Sequence, residues 1–190
     1  MINRYHKYLE FLDIRLKKMF DSQAPFIKCK NGCAHCCKEG LYPISELEFL
    51  NVMFYYHVLN EDVQNKINKN VKFLLKNRRE KYYQCPFLID NSCSVYNARP
   101  IICRTFGLLT YNDKGHKKIP FCVDLGLNYA DVYDKNLKKI VAKSEDGIEP
   151  VAFNIDRRYL RDKVFEKEFN IFFGEDKPLI DWLGEMEFFK

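Results

Sequence analysis

The chain has 190 residues, 47% of them hydrophobic, enough for one domain burying roughly 70% of the surface its unfolded form exposes. That apolar content, with 12 Tyr and 16 Phe, excludes intrinsic disorder and predicts an aromatic-rich core. Formal net charge is +5, from 31 basic and 26 acidic residues of interspersed sign, and eight thiolates would more than cancel it. Nucleic-acid binding wants a broader basic stripe, and the run Lys76-Asn77-Arg78-Arg79 reads as a solvated helix face.

The opening Met1-Ile2-Asn3-Arg4-Tyr5-His6-Lys7 has no apolar stretch of the kind a signal peptide needs. No run approaches the roughly 18 apolar residues of a membrane span. The expectation is a cytoplasmic protein without a membrane partner. In that compartment thiols stay reduced, and clustered cysteines serve as ligands or catalysts rather than as disulfides.

Along the chain, Tyr5, Leu9, Leu12, Leu16 and Met19 fall on one helical stripe, with charged residues mostly off it. Residues 26–42, punctuated by Gly32 and Gly40, predict turns with at most one short helix. Ser45 and Glu48 form a capping box, with Ile44 and Phe49 placed as a hydrophobic staple. The helix they open carries Leu47, Leu50, Phe54 and Val58 as its buried face.

Asn60 caps a third helix with Val63, Ile67, Val71 and Leu74 inward. Residues 107–111 and 117–121 flank Asn112-Asp113-Lys114-Gly115 as a hairpin. Residues 128–144 and 156–170 read as helices, the second capped by Asp156. A last helix spans 179–186, with Pro178 near its first turn. The predicted fold class is mostly α, with helices packed around irregular cysteine-rich metal-binding loops and a small β-hairpin. The whole chain is expected to form a single domain, a cysteine-cluster core at about 25–125 with a helical extension at 126–190.

The chemistry lies in Cys29, Cys33, Cys36, Cys37, Cys85, Cys93, Cys103 and Cys122. Four of them fall within nine residues as C-x3-C-x2-C-C, a density that scattered core cysteines rarely reach. Short loops bend several sulfurs toward one cation with little entropy lost. Structural zinc takes four such ligands, and a four-iron cluster likewise. Eight thiolates therefore suit two four-ligand sites, or one cluster with spare thiols. In extended chain Cys36 and Cys37 point to opposite faces; on a helical turn Cys33 neighbours both. His35 sits among them and reads as exposed or hydrogen-bonded rather than ligating. Arg99 and Arg104 flank the second group and would offset an anionic centre, lowering thiolate pKa; a surface ion pair is the alternative for either.

These residues carry a resemblance. Cys29-x3-Cys33-x2-Cys36-Cys37, Cys85-Pro86-Phe87-Leu88, Cys93-x2-Tyr96-x2-Arg99-Pro100-x2-Cys103-Arg104-x-Phe106 and a later Cys122 resemble the YkgJ-type cysteine-cluster proteins, a zinc- or iron-chelating family. Its usual first spacing is C-x2-C-x2-C-C, one residue shorter than here. The resemblance implies metal binding, with zinc or an iron–sulfur cluster as the cofactor. Flagellin lysine-N-methylases are similar in cysteine pattern, which implies a methyltransferase alternative.

Cys29-x3-Cys33-x2-Cys36 also has the spacing of radical S-adenosylmethionine enzymes, but the repeated strand–helix units of their barrels are absent. An adaptor bound to a protein partner is a third reading. It rests on Phe165, Phe169, Phe172, Phe173, Trp182, Phe188 and Phe189, which core packing explains as well. No Gly-x-Ser-x-Gly, His-Glu-x-x-His or Walker loop supports hydrolase chemistry. Asp90, Asp113 and Asp124 read as turn or cap residues.

Overall fold

Three apolar clusters organise the chain in the computed structural model, which describes residues 1–30, 32–77, 82–112, 114–155 and 157–189. Arg78, Arg79, Asp113 and Asp156 lie outside the described residues. The fold is mostly α, and its strands form two-stranded antiparallel sheets. No helix among the described residues is long and apolar enough to cross a membrane.

Helix α1 (Ile2–Ser22) buries Tyr5, Tyr8, Leu9, Leu12 and Leu16, with Met19 packed against the same cluster. This is the predicted stripe. It faces Leu47, Ile101, Phe165 and Phe173, which arrive from widely separated parts of the chain. Helix α2 (His35–Lys38) is the single short helix expected in the first cysteine segment.

Strand β1 (Pro43–Ser45) leads into α3 (Glu46–His57), where Ser45 and Glu48 make the predicted capping box. The first-turn N–H groups, orphans in any helix, are all satisfied here. Glu46 donates to the Glu175 carbonyl at 2.8 Å, Leu47 to the Phe173 carbonyl at 3.0 Å, and Glu48 to Ser45 Oγ at 3.3 Å. Strand β1 also pairs antiparallel with Asp176–Pro178. The last part of the chain thereby closes onto the start of α3.

The buried face of α3 differs from the expected one. Leu50, Phe54 and Val58 are 41%, 51% and 71% exposed, while Phe49, Val52, Met53 and Tyr56 are buried at i, i+3, i+4 and i+7. Packing on two sides, against α1 and the cluster shared with α4 and the last helix, also hides polar Glu48 and Asn51.

Helix α4 (Glu61–Asn77) begins where Asn60 Oδ1 accepts from the Val63 N–H at 3.0 Å, and it buries Ile67 and Val71. Strands β2 (Leu88–Ile89) and β3 (Ser92–Cys93), helix α5 (Ile101–Thr105) and the expected hairpin β4 (Thr110–Tyr111) with β5 (Lys117–Lys118) follow.

Residues 128–144 are a hairpin of β6 (Tyr133–Asp134) and β7 (Lys139–Ile140), not a helix. Asp134 Oδ1 accepts the N–H groups of Asn136 and Leu137, a local bond that competes with helix, and Lys138 takes φ +51° to turn the chain. The expected helix 156–170 is split into α6 (Arg157–Leu160) and α7 (Lys163–Phe169). Asp162 starts α7 afresh by accepting from the Val164 N–H at 2.8 Å. Strand β8 (Asp176–Pro178) precedes α8 (Leu179–Glu185), whose Trp182 stacks on Phe49 and donates to the Ile44 carbonyl.

Candidate metal centre

Two chain segments and one outlying turn carry the eight cysteines, all free thiols. In the first segment, α2 places Cys36 and Cys37 on one turn with their sulfurs 3.9 Å apart. The helical alternative for that pair is the one realised. His35 lies exposed on the same turn.

Main-chain bonds hold the second segment against the first. Cys85 N–H donates to the Cys37 carbonyl at 2.8 Å, and Gly40 and Tyr83 exchange both bonds of an isolated bridge. Beside that bridge the Tyr42 hydroxyl donates to the carbonyls of Cys36 and Tyr83. Gly40 leaves room for this ring: a Cβ there would stand 2.6 Å from it. Cys93 ends the β2–β3 hairpin opposite Leu88, with Asp90 and Asn91 at positive φ making the turn. Cys103 lies on α5. Cys85 and Cys93 pack against the cluster that joins α3, α4 and α8.

Burial dominates the electrostatics. It pushes the thiols of Cys85 and Cys103 up, and the charges of neighbouring sulfurs add to the effect: Cys103, Cys93 and Cys36 on Cys85, and Cys93 and Cys36 on Cys103. Burial also raises Cys93, with Cys36 contributing. Cys36 is raised first by its contact with Cys37, then by burial. These four sulfurs thus lie in one another's field. Arg99 acts on three of them, Cys36, Cys93 and Cys103, in the lowering direction expected of a cation. Its effect is outweighed by desolvation.

The two arginines differ in situation. Arg104 is buried and already engaged: Nη1 binds both Asp13 oxygens at 2.6 and 2.7 Å, Nε the Arg99 carbonyl and Nη2 the Asn97 carbonyl. It braces α5 against α1. Arg99 stacks over Tyr96 at 4.0 Å, and its buried Nε has no hydrogen-bond partner among the described residues.

Cys29, Cys33 and Cys122 form the remaining group. Cys122 sits in the 3-10 turn Phe121–Leu125 and is raised to about 11, chiefly by burial. Burial likewise raises Cys29, with Cys33 and Cys36 adding to it and Asn128 opposing. Sequence reasoning missed Asn128, which is fully buried at Cys29 and lies in a stretch with no motif around it. It also missed that Glu48, beyond its capping role, reaches Ile101 and Arg161.

Among the described residues, no three His, Cys, Asp or Glu side chains stand close enough to grip a metal ion as they lie. The donors are adjacent rather than caged. Their chemistry still fits a soft or borderline cation: cysteine sulfurs in quantity, of which burial favours the neutral thiol at Cys85 and Cys103, beside a guanidinium with an unpaired N–H among the described residues.

Of the C-terminal aromatics, Phe165, Phe173, Trp182 and Phe189 are buried, while Phe172 and Phe188 are exposed. No curated protein and no solved structure matches the chain significantly. A family described as "CxxCxxCC: Putative zinc- or iron-chelating domain" matches residues 28–123, half of the chain and every cysteine in it. The chain therefore belongs to the CxxCxxCC family of zinc- or iron-chelating domains.

Proposed function

We propose that this protein binds zinc or an iron–sulfur centre through Cys29, Cys33, Cys36, Cys37, Cys85, Cys93, Cys103 and Cys122. The observation that carries the reading is the junction of the two cysteine segments: Cys85 N–H donates to the Cys37 carbonyl at 2.8 Å, the Cys36 and Cys37 sulfurs stand 3.9 Å apart, and Arg99 acts on Cys36, Cys93 and Cys103. Core packing alone gives no reason for three ionisable sulfurs to share a neighbourhood with a guanidinium whose buried Nε has no partner among the described residues. Side-chain rotation brings the sulfurs to the cation, and each ligand gives up its proton as it binds. Arg99 then has an anionic neighbour for its free Nε. Zinc in such a site supplies folding energy; an iron–sulfur cluster supplies one-electron chemistry.

The reducing cytoplasm suits free thiols of this kind. The packing of α8 onto the cluster that also receives Cys85 and Cys93 supports one folding unit across the chain.

Metal and acid-labile sulfide analysis of protein purified without oxygen tests the reading. Iron with matching sulfide, or zinc in a colourless protein, supports it and names the cation. Cys36→Ser and Cys103→Ser should each lower the bound metal. Wild-type protein that takes up neither metal, or unchanged content in both variants, would refute it.

A further inference from the structure

Asn128 is the one fully buried amide that touches a cysteine sulfur among the described residues. It follows the family-matched segment and is separated from Cys29 by 99 positions. Its Nδ2 donates to the Gly107 carbonyl at 2.9 Å and to Cys29 Sγ at 3.2 Å, while Oδ1 accepts the Lys28 N–H at 2.8 Å. A buried asparagine needs only the Lys28 and Gly107 bonds to be satisfied by the main chain. The third contact points at a thiol.

The surroundings are shaped for that contact. Gly107 has φ +100°, and a Cβ there would stand 2.8 Å from Nδ2 and 3.3 Å from the Cys29 sulfur. On its other side, Asn128 is tied to Cys122. The 3-10 turn carrying Cys122 ends at Gly126 in the left-handed conformation, and Leu127 N–H returns to the Cys122 carbonyl at 3.1 Å. This sets Asn128, the next residue, beside the turn that carries Cys122. Asn128 therefore links the Cys29 thiol, through its side chain, to the turn that carries Cys122.

We infer that Asn128 is a positioning residue that holds Cys29 and Cys122 as ligands of one and the same metal. N–H donors on a thiolate orient it and withdraw charge from it, and such outer contacts tune both affinity and electronic structure. Cys33, whose charge acts on both Cys29 and Cys122, is the neighbouring thiol that joins them. The inference rests on the metal-binding function proposed above.

Cobalt(II) titration of the reduced, metal-free protein tests it, because thiolate-to-cobalt charge transfer reports each ligand. Cys29→Ser and Cys122→Ser should each remove the same bound ion, and the double variant no more than either alone. Asn128→Ala should weaken that ion's binding by about 10–100-fold, as removal of an outer partner typically does. Its charge-transfer band should move to lower energy, since an unsupported thiolate releases an electron more readily; a purely structural role would not shift the band. Asn128→Asp, equal in size and lacking the N–H, should shift it likewise. If Asn128→Ala does not fold, Asn128→Asp and the two serine variants carry the test. Loss of two independent ions from Cys29→Ser and Cys122→Ser, or unchanged affinity and spectrum in a folded Asn128 variant, would overturn the inference alone. Wild-type protein that binds no cobalt, zinc or iron would remove the metal-binding function as well.

Discussion

Glu48 Oε1 accepts the main-chain N–H of Ile101 at 2.8 Å, so the carboxylate that closes the capping box of α3 also caps the helix bearing Cys103. Its other oxygen accepts from Ser45 N–H and from Arg161, which in turn forks onto Asp176. A single buried carboxylate thus joins α3, α5 and the segment that closes onto β1. Glu48→Ala leaves Arg161 buried beside an empty acceptor site and should destabilise the fold by about 3–5 kcal/mol. Glu48→Gln, which keeps an acceptor and loses the charge, should cost less. Denaturant unfolding of the metal-free protein measures both.

The Asp13–Arg104 pair tests whether Arg104 acts as a brace. Asp13 is half exposed, so solvent screens the pair, and Asp13→Ala should cost about 1–2 kcal/mol. Metal content should stay unchanged. A drop in bound metal without loss of stability would instead assign Arg104 to the metal centre.

Gly40 predicts a packing effect. A methyl group there meets the Tyr42 ring at 2.6 Å, and that ring is nearly buried between Tyr83 and the Cys36 carbonyl. Gly40→Ala should destabilise by about 1–3 kcal/mol, as overpacking does. Gly40→Ala combined with Tyr42→Phe should recover little, because the clash is with ring carbons as well as with the hydroxyl.

The pH response follows from the raised thiols. A group whose folded pKa exceeds its unfolded one stabilises fully below the unfolded value and loses that contribution as pH rises through the folded value. For Cys122 the window runs from 9.0 to about 11. Reduced, metal-free protein should lose stability across that range, read as a falling melting temperature. Metal binding should show the opposite sense below it: every proton displaced makes affinity rise with pH, which competition titrations at several pH values would show.

Local signals were readable in the sequence where they were strong. The stripe of α1, the Ser45–Glu48 box and the Asn60 cap each depend on residues within one or two turns, and all are present. The hairpin at 133–140 was hidden because it depends on non-glycine residues at positive φ, Tyr129 and Lys138, and on an Asp134 side chain that could equally have capped a helix. On α3 the expected stripe gives way because packing on two sides buries Phe49, Val52, Met53 and Tyr56 together with polar Glu48 and Asn51. At the site, the motif spacing marks the cysteines as candidates, but the contacts that support them are not legible in it. Asn128 reaches Cys29 across 99 positions and Arg161 reaches Glu48 across 113, distances over which one sequence carries no pattern.

The pairing of β1 with β8 bears on the order in which the molecule can be finished. Synthesis runs from the N-terminal side, so all eight thiols exist before Phe173, Glu175 and Asp176 are made. Until then the N–H groups of Glu46 and Leu47 lack their carbonyl acceptors, and α8 has yet to pack on the cluster that receives Cys85 and Cys93. A nascent chain therefore presents Cys85 and Cys93 with less cover first, and the late segment completes it. Cation loading before that closure meets accessible thiols; loading afterwards must reach half-buried ones.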